Sequence, residues 1–89
     1  MSEQDLQKKI IKHLESKNYY VIKVIVSNRN GTPDILFMKD GHFCAIEVKA
    51  PGKMNTVTEL QKYHLDLINK SGGKALAADS VEQVKQFFS

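Results

Sequence analysis

Residues 32–50 read TPDILFMKDGHFCAIEVKA, and this stretch decides the fold. Two runs of apolar and β-branched residues flank the pair Asp40-Gly41, which supplies the positive φ angles of a tight hairpin turn. With a two-residue loop Lys39 faces His42, and the same register places Asp34 directly opposite Glu47. The stretch therefore predicts a β-hairpin that carries two acids on facing strands.

The two opposed acids need a compensating charge. Directly opposed strand residues have Cβ atoms roughly 4.5–5.5 Å apart, a separation at which like charges are destabilising. Because strand residues alternate between faces, Lys49 points to the same side as Asp34 and Glu47. Two interpretations are open. The group is either an exposed ion-pair cluster, worth about 0–1 kcal/mol, or a site for a hard divalent cation such as Mg²⁺, which takes carboxylate oxygens as ligands.

Composition limits the class of protein. The chain has 89 residues, with 13 basic and 10 acidic side chains and a net charge of +3. No composition shift, repeat or low-complexity tract divides it, which predicts a single domain over residues 1–89 with a core small enough that a partner subunit would help. The charge balance mildly favours a nucleic-acid partner.

The single cysteine and the hydropathy pattern bear on location. Cys44 excludes an intrachain disulfide, and its alternation with Ile46 and Val48 predicts a core thiol. The N-terminal residues lack the apolar segment of a signal peptide, and no apolar run reaches the ~20 residues of a membrane span. We expect no membrane partner and a cytoplasmic location, in the host cytoplasm if the protein is viral.

Helix and strand signals surround the hairpin. Ser2 is expected to cap a helix over residues 3–16. Residues 19–26 predict a strand that is apolar on both faces and is central or next to the hairpin. Residues 74–78 predict a further short strand. The expected fold is α/β, a mixed sheet flanked by helices in the order αβββαβ with an additional C-terminal helix.

Two capping patterns define the later helices. Thr56-x-x-Glu59 predicts the start of a helix that ends near residue 70, and Ser80-x-x-Gln83 predicts the start of the last helix. The apolar stripe of the first of these helices is expected at Val57, Leu60, His64, Leu67 and Ile68. The apolar edge of the last helix is expected at Val81, Val84, Phe87 and Phe88.

Two basic residues lie in loops near the acids. Arg29, the only arginine, belongs to the polar loop 27–32 that leads into Asp34, and a guanidinium there could bind a phosphate in a bidentate manner. Lys53 follows the break at Pro51-Gly52, where a backbone phosphate could pass. For each, an ordinary solvated loop charge is the alternative.

The motifs resemble those of a known nuclease family. Pro33-Asp34, followed by Glu47-Val48-Lys49, resembles the PD-(D/E)xK signature of the restriction-endonuclease-like superfamily. Across about residues 3–80 the chain more narrowly resembles the viral-type replication-repair nuclease domain, VRR-NUC. This narrower resemblance is carried by Gly31-Thr32-Pro33-Asp34, Ala45-Ile46-Glu47-Val48-Lys49, Gln61 and Gly72-Gly73.

The resemblance implies a restriction-endonuclease-like fold and a set of site residues. It implies that Asp34, Glu47 and the Val48 carbonyl bind Mg²⁺ or Mn²⁺, with no organic cofactor. It implies that Lys49 orients or deprotonates the attacking water, or stabilises the developing charge.

Two helical residues join this set through the resemblance. It implies that Gln61 faces the active centre and that Glu3, in the pattern Glu3-x-x-x-Gln7, reaches the metal. A solvated first turn favoured by the helix dipole is the alternative for Glu3.

The expected activity is structure-selective hydrolysis of DNA. No base-reading module is evident, so backbone contacts and shape favour branched DNA such as four-way (Holliday) junctions. Relatives of this minimal size suggest a homodimer, which would present two sites to such a junction. Flap-directed, end-directed or RNA-directed cutting, a non-catalytic nucleic-acid-binding module and a purely structural subunit are the alternatives.

Overall fold

Helices and strands follow the predicted order along the chain. The computed structural model describes all residues from 1 to 89. Its elements are α1 (Glu3–Ser16), β1 (Val21–Lys23), β2 (Ile35–Lys39), β3 (His42–Val48), a 3₁₀ turn (Met54–Thr56), α2 (Glu59–Lys70), β4 (Lys74–Ala78) and α3 (Val81–Phe87). None of the helices is both long and apolar enough to cross a membrane.

The strands form one mixed sheet in the order β1-β2-β3-β4. The first two pairings are antiparallel and β3 with β4 is parallel, so the sheet is mixed, as predicted. Asp40 and Gly41 form the hairpin turn with φ angles of 51° and 77°. Lys39 faces His42, and the register continues to Ile35 opposite Ile46, which confirms the predicted pairing. The next pair in this register is Asp34 and Glu47.

The first strand is shorter and more exposed than predicted. Only Val21–Lys23 is a strand, and it lies at the edge of the sheet next to β2. Ile25 and Val26 are 79% and 88% exposed, so the prediction of a long strand covered on both faces was wrong. Strand propensity reflects packing against neighbours, and beyond Lys23 the only strand-like bond is from the Val24 N–H to the Asp34 carbonyl, 2.8 Å.

The main core lies between the sheet and the pair α1 and α3. The helical spacing of Leu6, Ile10 and Leu14 puts these side chains on one face of α1. They pack on the buried face of the hairpin and on α3, in a cluster completed by Ile35, Phe37, Cys44, Ile46, Val48, Ala78, Val84 and Phe88. Cys44 is buried as predicted, and Phe88 closes the core whereas Phe87 is exposed.

A smaller cluster lies under α2 on the opposite face of the sheet. Ala45 and Ala75 are buried there against Leu65, which the predicted stripe omitted. Leu60 and Leu67, which the stripe included, are 47% and 36% exposed. Small alanines on β3 and β4 allow α2 to pack closely on these two strands.

The start of α2 also differs from the prediction. Thr56 lies in the 3₁₀ turn, and the N-cap is Thr58, whose hydroxyl accepts from the Gln61 N–H at 3.1 Å. The Gln61 Oε1 in return accepts from the Thr58 N–H at 2.9 Å, so the capping box joins Thr58 and Gln61 rather than Thr56 and Glu59. Ser80 caps α3 as predicted.

Candidate active site

The acids of the hairpin lie where the first turns of α1 and α2 approach the open end of β2 and β3. Glu47 is on β3 and is only 2% exposed, and Asp34 immediately precedes β2. Glu3 comes from the first turn of α1. Oxygen atoms of the carboxylates of Glu3, Asp34 and Glu47 all lie within 4.8 Å of one another. The structure thus brings together the three acids that the sequence singled out.

The N-terminus of α1 is fixed by its own capping box. The Ser2 hydroxyl accepts from the Asp5 N–H at 3.0 Å, and the Asp5 carboxylate accepts from the Ser2 N–H. This pair orders the first turn, from which Glu3 points toward the acids, and Gln7 on the following turn is 7% exposed. The first turn of α1 therefore places Glu3 beside Asp34 and Glu47.

Asp34 is held by the backbone of the facing strand. Its Oδ2 accepts a hydrogen bond from the Val48 N–H at 2.8 Å. In an extended strand the carbonyl of a residue points to the same side as its N–H, so the Val48 carbonyl is directed toward the side of Asp34. The two groups that the resemblance named, a carboxylate and a main-chain oxygen, are therefore directed to the same side of β3.

Glu47 is the most constrained of the three acids. Its Oε2 accepts from the Gln61 Nε2 at 3.1 Å and lies 3.8 Å from the Lys49 Nζ. Its Oε1 is buried and accepts no hydrogen bond. Burial raises the pKa of the Glu47 carboxyl to about 8, and the charge of Asp34 adds to the rise, whereas Lys49 lowers it.

This arrangement fits a hard divalent cation. A buried acceptor without a donor is costly, and here the unpartnered Oε1 belongs to a carboxylate that lies beside two others. Mg²⁺ is bound through oxygen ligands at about 2.0–2.1 Å, commonly from one or two carboxylates. A cation among Glu3, Asp34 and Glu47 would give that oxygen a partner and neutralise the repulsion among the acids.

Comparison with known proteins identifies the family. The family model described as VRR-NUC domain matches residues 1–82. The chain belongs to the VRR-NUC domain family. The comparison with curated proteins gives no match. Membership makes this a nuclease-family domain, for which DNA is the implied substrate and a divalent metal the usual requirement.

In this VRR-NUC domain Gln61 links the start of α2 to the acids. Its Oε1 is used by the Thr58 N–H and its Nε2 by Glu47. Because one end of the amide faces a donor and the other an acceptor, only one orientation of the amide satisfies both. The sequence predicted a role for Gln61 but not for Thr58. The pattern Thr58-x-x-Gln61 was the available signal, since it matches a capping box as well as Thr56-x-x-Glu59 does.

Lys49 lies at the edge of the acid cluster of the VRR-NUC domain. Its side chain is 12% exposed, and its ammonium approaches Glu47. An ammonium has three donors and no acceptor, so N–H groups not directed at Glu47 can reach a water or a phosphate oxygen.

The two loop bases are placed differently. Arg29 is exposed, and its loop lines an open depression of about 390 Å³ together with Asp34. Lys53 is exposed just before the 3₁₀ turn, and its carbonyl accepts from the Thr56 hydroxyl. Neither forms a salt bridge with the acids.

Proposed function

We propose that this VRR-NUC domain is a metal-dependent endonuclease that hydrolyses phosphodiester bonds of branched DNA, with four-way junctions as its preferred substrate. The buried Glu47 carboxylate carries the proposal. It lies among two further acids, has one oxygen without a partner, and has a raised pKa. Such a combination is expected of an ion-binding site and not of an exposed ion-pair cluster.

Asp34, Glu47, Glu3 and the Val48 carbonyl would hold Mg²⁺ or Mn²⁺. When bound, the ion supplies Lewis-acid polarisation of the scissile phosphate and lowers the pKa of a bound water. Asp34 is oriented for this role by the Val48 N–H, and Glu47 by the Gln61 amide. Both acids must be ionised to act as ligands.

Lys49 would act on the water or on the phosphate. Its Nζ lies 3.8 Å from the Glu47 Oε2 and its side chain is only slightly exposed, so its position is defined by the strand and by this contact. As an ammonium it donates hydrogen bonds to the attacking water and to a phosphoryl oxygen, whose negative charge grows as the bond forms. After losing a proton the same amine can accept one from the water.

Contacts to the DNA backbone would come from exposed bases around the acids. Arg29 and Lys53 are both exposed in loops, and such contacts give salt-dependent affinity without reading sequence. A homodimer would present two acid clusters related by a two-fold axis, which matches the symmetry of a four-way junction.

The test is cleavage of a panel of linear duplex, single strand, flap and four-way junction DNA with Mg²⁺ or Mn²⁺. We expect the wild type to cut the junction best. We expect Asp34→Ala and Lys49→Ala each to lower the rate by about 10²–10³-fold, the usual cost of removing one electrostatic stabiliser of a transition state. Asp40→Asn is the matched control, because Asp40 is an exposed acid at the other end of the same hairpin.

Two results would contradict the proposal. A wild type that binds DNA but cuts none of the panel with either metal would leave a nucleic-acid-binding module. Equal cutting by wild type and Asp34→Ala would place the catalytic groups elsewhere. Preference for the flap would keep the chemistry and change the substrate.

A further inference from the structure

The loop over residues 24–32 holds two aliphatic side chains in solvent beside the acid cluster. Ile25 is 79% exposed and Val26 is 88% exposed. Adjacent β-branched residues are usually found in strands, where neighbours bury them, yet these two follow the end of β1 and pack against no second sheet or helix. Their exposure is therefore a feature of the loop that needs a cause.

Hydrogen bonds of the Ser27 and Thr32 side chains hold the loop in its conformation. The Ser27 hydroxyl accepts from the Arg29 N–H at 3.1 Å, and the Thr32 hydroxyl donates to the Arg29 carbonyl at 2.9 Å. The two hydroxyls lie 2.8 Å apart, and because the Thr32 proton is already used, Ser27 donates in this bond. These bonds fix the chain that carries Ile25 and Val26.

The end of the loop is also seated on α2. Gly31 has a φ angle of +84°, and a Cβ added to it would lie 2.7 Å from the Leu60 Cγ and 3.1 Å from the His64 Cδ2. Only glycine allows this close approach in this conformation. The Val24 N–H bonds the start of the loop to the Asp34 carbonyl, and Gly31 packs the end of the loop on α2. The residues between these two contacts therefore have a defined position.

The charge of the chain around Ile25 and Val26 favours contact with DNA. Residues 18–33 include Lys23 and Arg29 and no acid. The loop and Asp34 line one open depression, so a molecule bound in this depression against Ile25 and Val26 also lies next to Asp34, one of the proposed metal ligands. Proteins that kink DNA insert exposed apolar side chains such as isoleucine between base steps and place arginine or lysine in the adjacent groove.

We propose that Ile25 and Val26 form an apolar wedge that inserts between bases of the DNA substrate beside the scissile phosphate, while Arg29 contacts the adjacent backbone. The proposal takes DNA as partner from the proposed function. Bases at a branch point are already partly unstacked, so insertion costs less there than in a continuous duplex. The wedge would therefore select branched substrates without reading their sequence.

The test compares the double variant Ile25→Ser/Val26→Ser with the wild type on a four-way junction and a linear duplex. Both DNAs carry 2-aminopurine, which becomes brighter when unstacked, and Ca²⁺ replaces Mg²⁺ so that a hard cation is present in binding measurements. We expect the serine variant to bind the junction about ten- to a hundredfold more weakly, as expected for lost burial of aliphatic side chains, and to lose the fluorescence increase. Its melting temperature should not fall.

Two matched variants define the cause. Ile25→Leu/Val26→Leu keeps the apolar volume and should keep the fluorescence increase. Tyr20→Ser removes another exposed side chain, 71% exposed, from the far end of β1 and should leave junction binding unchanged. Light scattering of each variant reports whether the loop instead joins two copies of the chain.

Several results would overturn the wedge. The wedge is wrong if the wild type does not bind the junction, or binds it without unstacking its bases. It is also wrong if the serine variant still unstacks the bases or changes oligomeric state. Failure of the proposed function is distinguishable. If the wild type cuts nothing with Mg²⁺ or Mn²⁺ but the wedge effects appear, binding stands and catalysis fails, whereas normal cutting by the serine variant with unchanged preference would overturn the wedge alone.

Discussion

The two ends of one hairpin treat charge in opposite ways. At the turn, the Lys39 Nζ lies 2.8 Å from the Asp40 Oδ2, and the Asp40 side chain is 77% exposed. At the open end, Glu47 is almost fully buried beside Asp34 and Glu3, with Lys49 as the nearest ammonium at 3.8 Å. The turn pairs one exposed acid with one base, whereas the open end gathers three acids beside one base, with Glu47 buried and Glu3 and Asp34 half-buried.

The open end of the hairpin, unlike the turn, holds its charged groups together only with support from other parts of the chain. The turn pair needs no support from the rest of the chain. At the open end the Val48 N–H holds Asp34 and the Gln61 amide holds Glu47, so hydrogen bonds keep mutually repelling groups together. Proteins retain such local conflicts mainly at functional sites, and a metal bound among the three acids would relieve this one.

The largest expected effect is a dependence of metal-free stability on pH. The pKa of Glu47 is raised in the folded protein from 4.5 to about 8, mainly by burial. The folded state therefore binds more protons than the unfolded state between these values. The contribution of the Glu47 carboxyl to the free energy of unfolding is therefore full below about pH 4.5 and is lost as the pH rises to about 8. We expect a loss on the order of a few kcal/mol, since each unit is worth about 1.4 kcal/mol.

Urea denaturation in EDTA across this pH range measures the effect, with Glu47→Gln as the matched variant. The variant should lose most of the decline, because it cannot ionise at this position. Asp40 has the opposite pH dependence. Its hydrogen bond to Lys39 lowers its pKa, so its contribution to the free energy of unfolding is lost as the pH falls. If the free energy of unfolding depends on pH equally in the wild type and in Glu47→Gln, the pKa of Glu47 is not raised in the folded protein.

The next effect is the reversal of this cost by metal. We expect Mn²⁺ to stabilise the wild type most at the higher pH values, where Glu47 is ionised, and Glu47→Gln to bind Mn²⁺ at least about 10–100-fold more weakly. Calorimetry at pH 7 in buffers of different ionisation enthalpy should also show proton release on binding by the wild type, because the Glu47 carboxyl must lose its proton to act as a ligand. Equal Mn²⁺ affinity in the two proteins would remove Glu47 from the ligand set.

The sequence predicted the open end of the hairpin because its determinants are local. The Asp40-Gly41 turn sets the register, and the two-residue period of a strand then brings Asp34 opposite Glu47. The buried face of the hairpin followed from the same alternation.

The residues that prediction missed are those decided by distant packing. Ile25 and Val26 suit a strand or a loop equally, and the choice depends on whether a neighbouring strand exists to pair with them. Thr56 and Thr58 both begin capping-box patterns, and Gln61 reaches Glu47 when the helix starts after Thr58. The pairing of Thr58 with the site could not be read from either pattern alone.

A moderate effect should separate the two bonds made by Thr58. Its φ angle of −78° suits proline, and Val57 before it is extended, with φ −63° and ψ 120°. Thr58→Ala removes the hydroxyl cap, whereas Thr58→Pro also removes the N–H that fixes the Gln61 amide. Both should lose about 1 kcal/mol of stability from the cap, but only Thr58→Pro should weaken Mn²⁺ binding, by about tenfold as for other groups that orient ligands.

Isothermal titration with Mn²⁺ and urea denaturation give the two quantities for each variant. Thr58→Ser serves as the control that keeps both bonds. If the alanine and proline variants bind Mn²⁺ equally well, the orientation of Gln61 does not depend on the Thr58 N–H, and the start of α2 acts on the fold alone.

The smallest effect belongs to the turn. Asp40→Asn removes the ion pair with Lys39 but keeps a residue that tolerates the φ angle of 51°. Because the Asp40 carboxylate is largely exposed to water, where charge is screened and side-chain freedom opposes pairing, we expect no measurable change in the urea midpoint, in Mn²⁺ affinity or in cleavage. The result decides how the two ends compare. If Asp40→Asn shifted stability as much as Glu47→Gln, burial would not distinguish the two ends, and the unpartnered Glu47 Oε1 would no longer support a metal site.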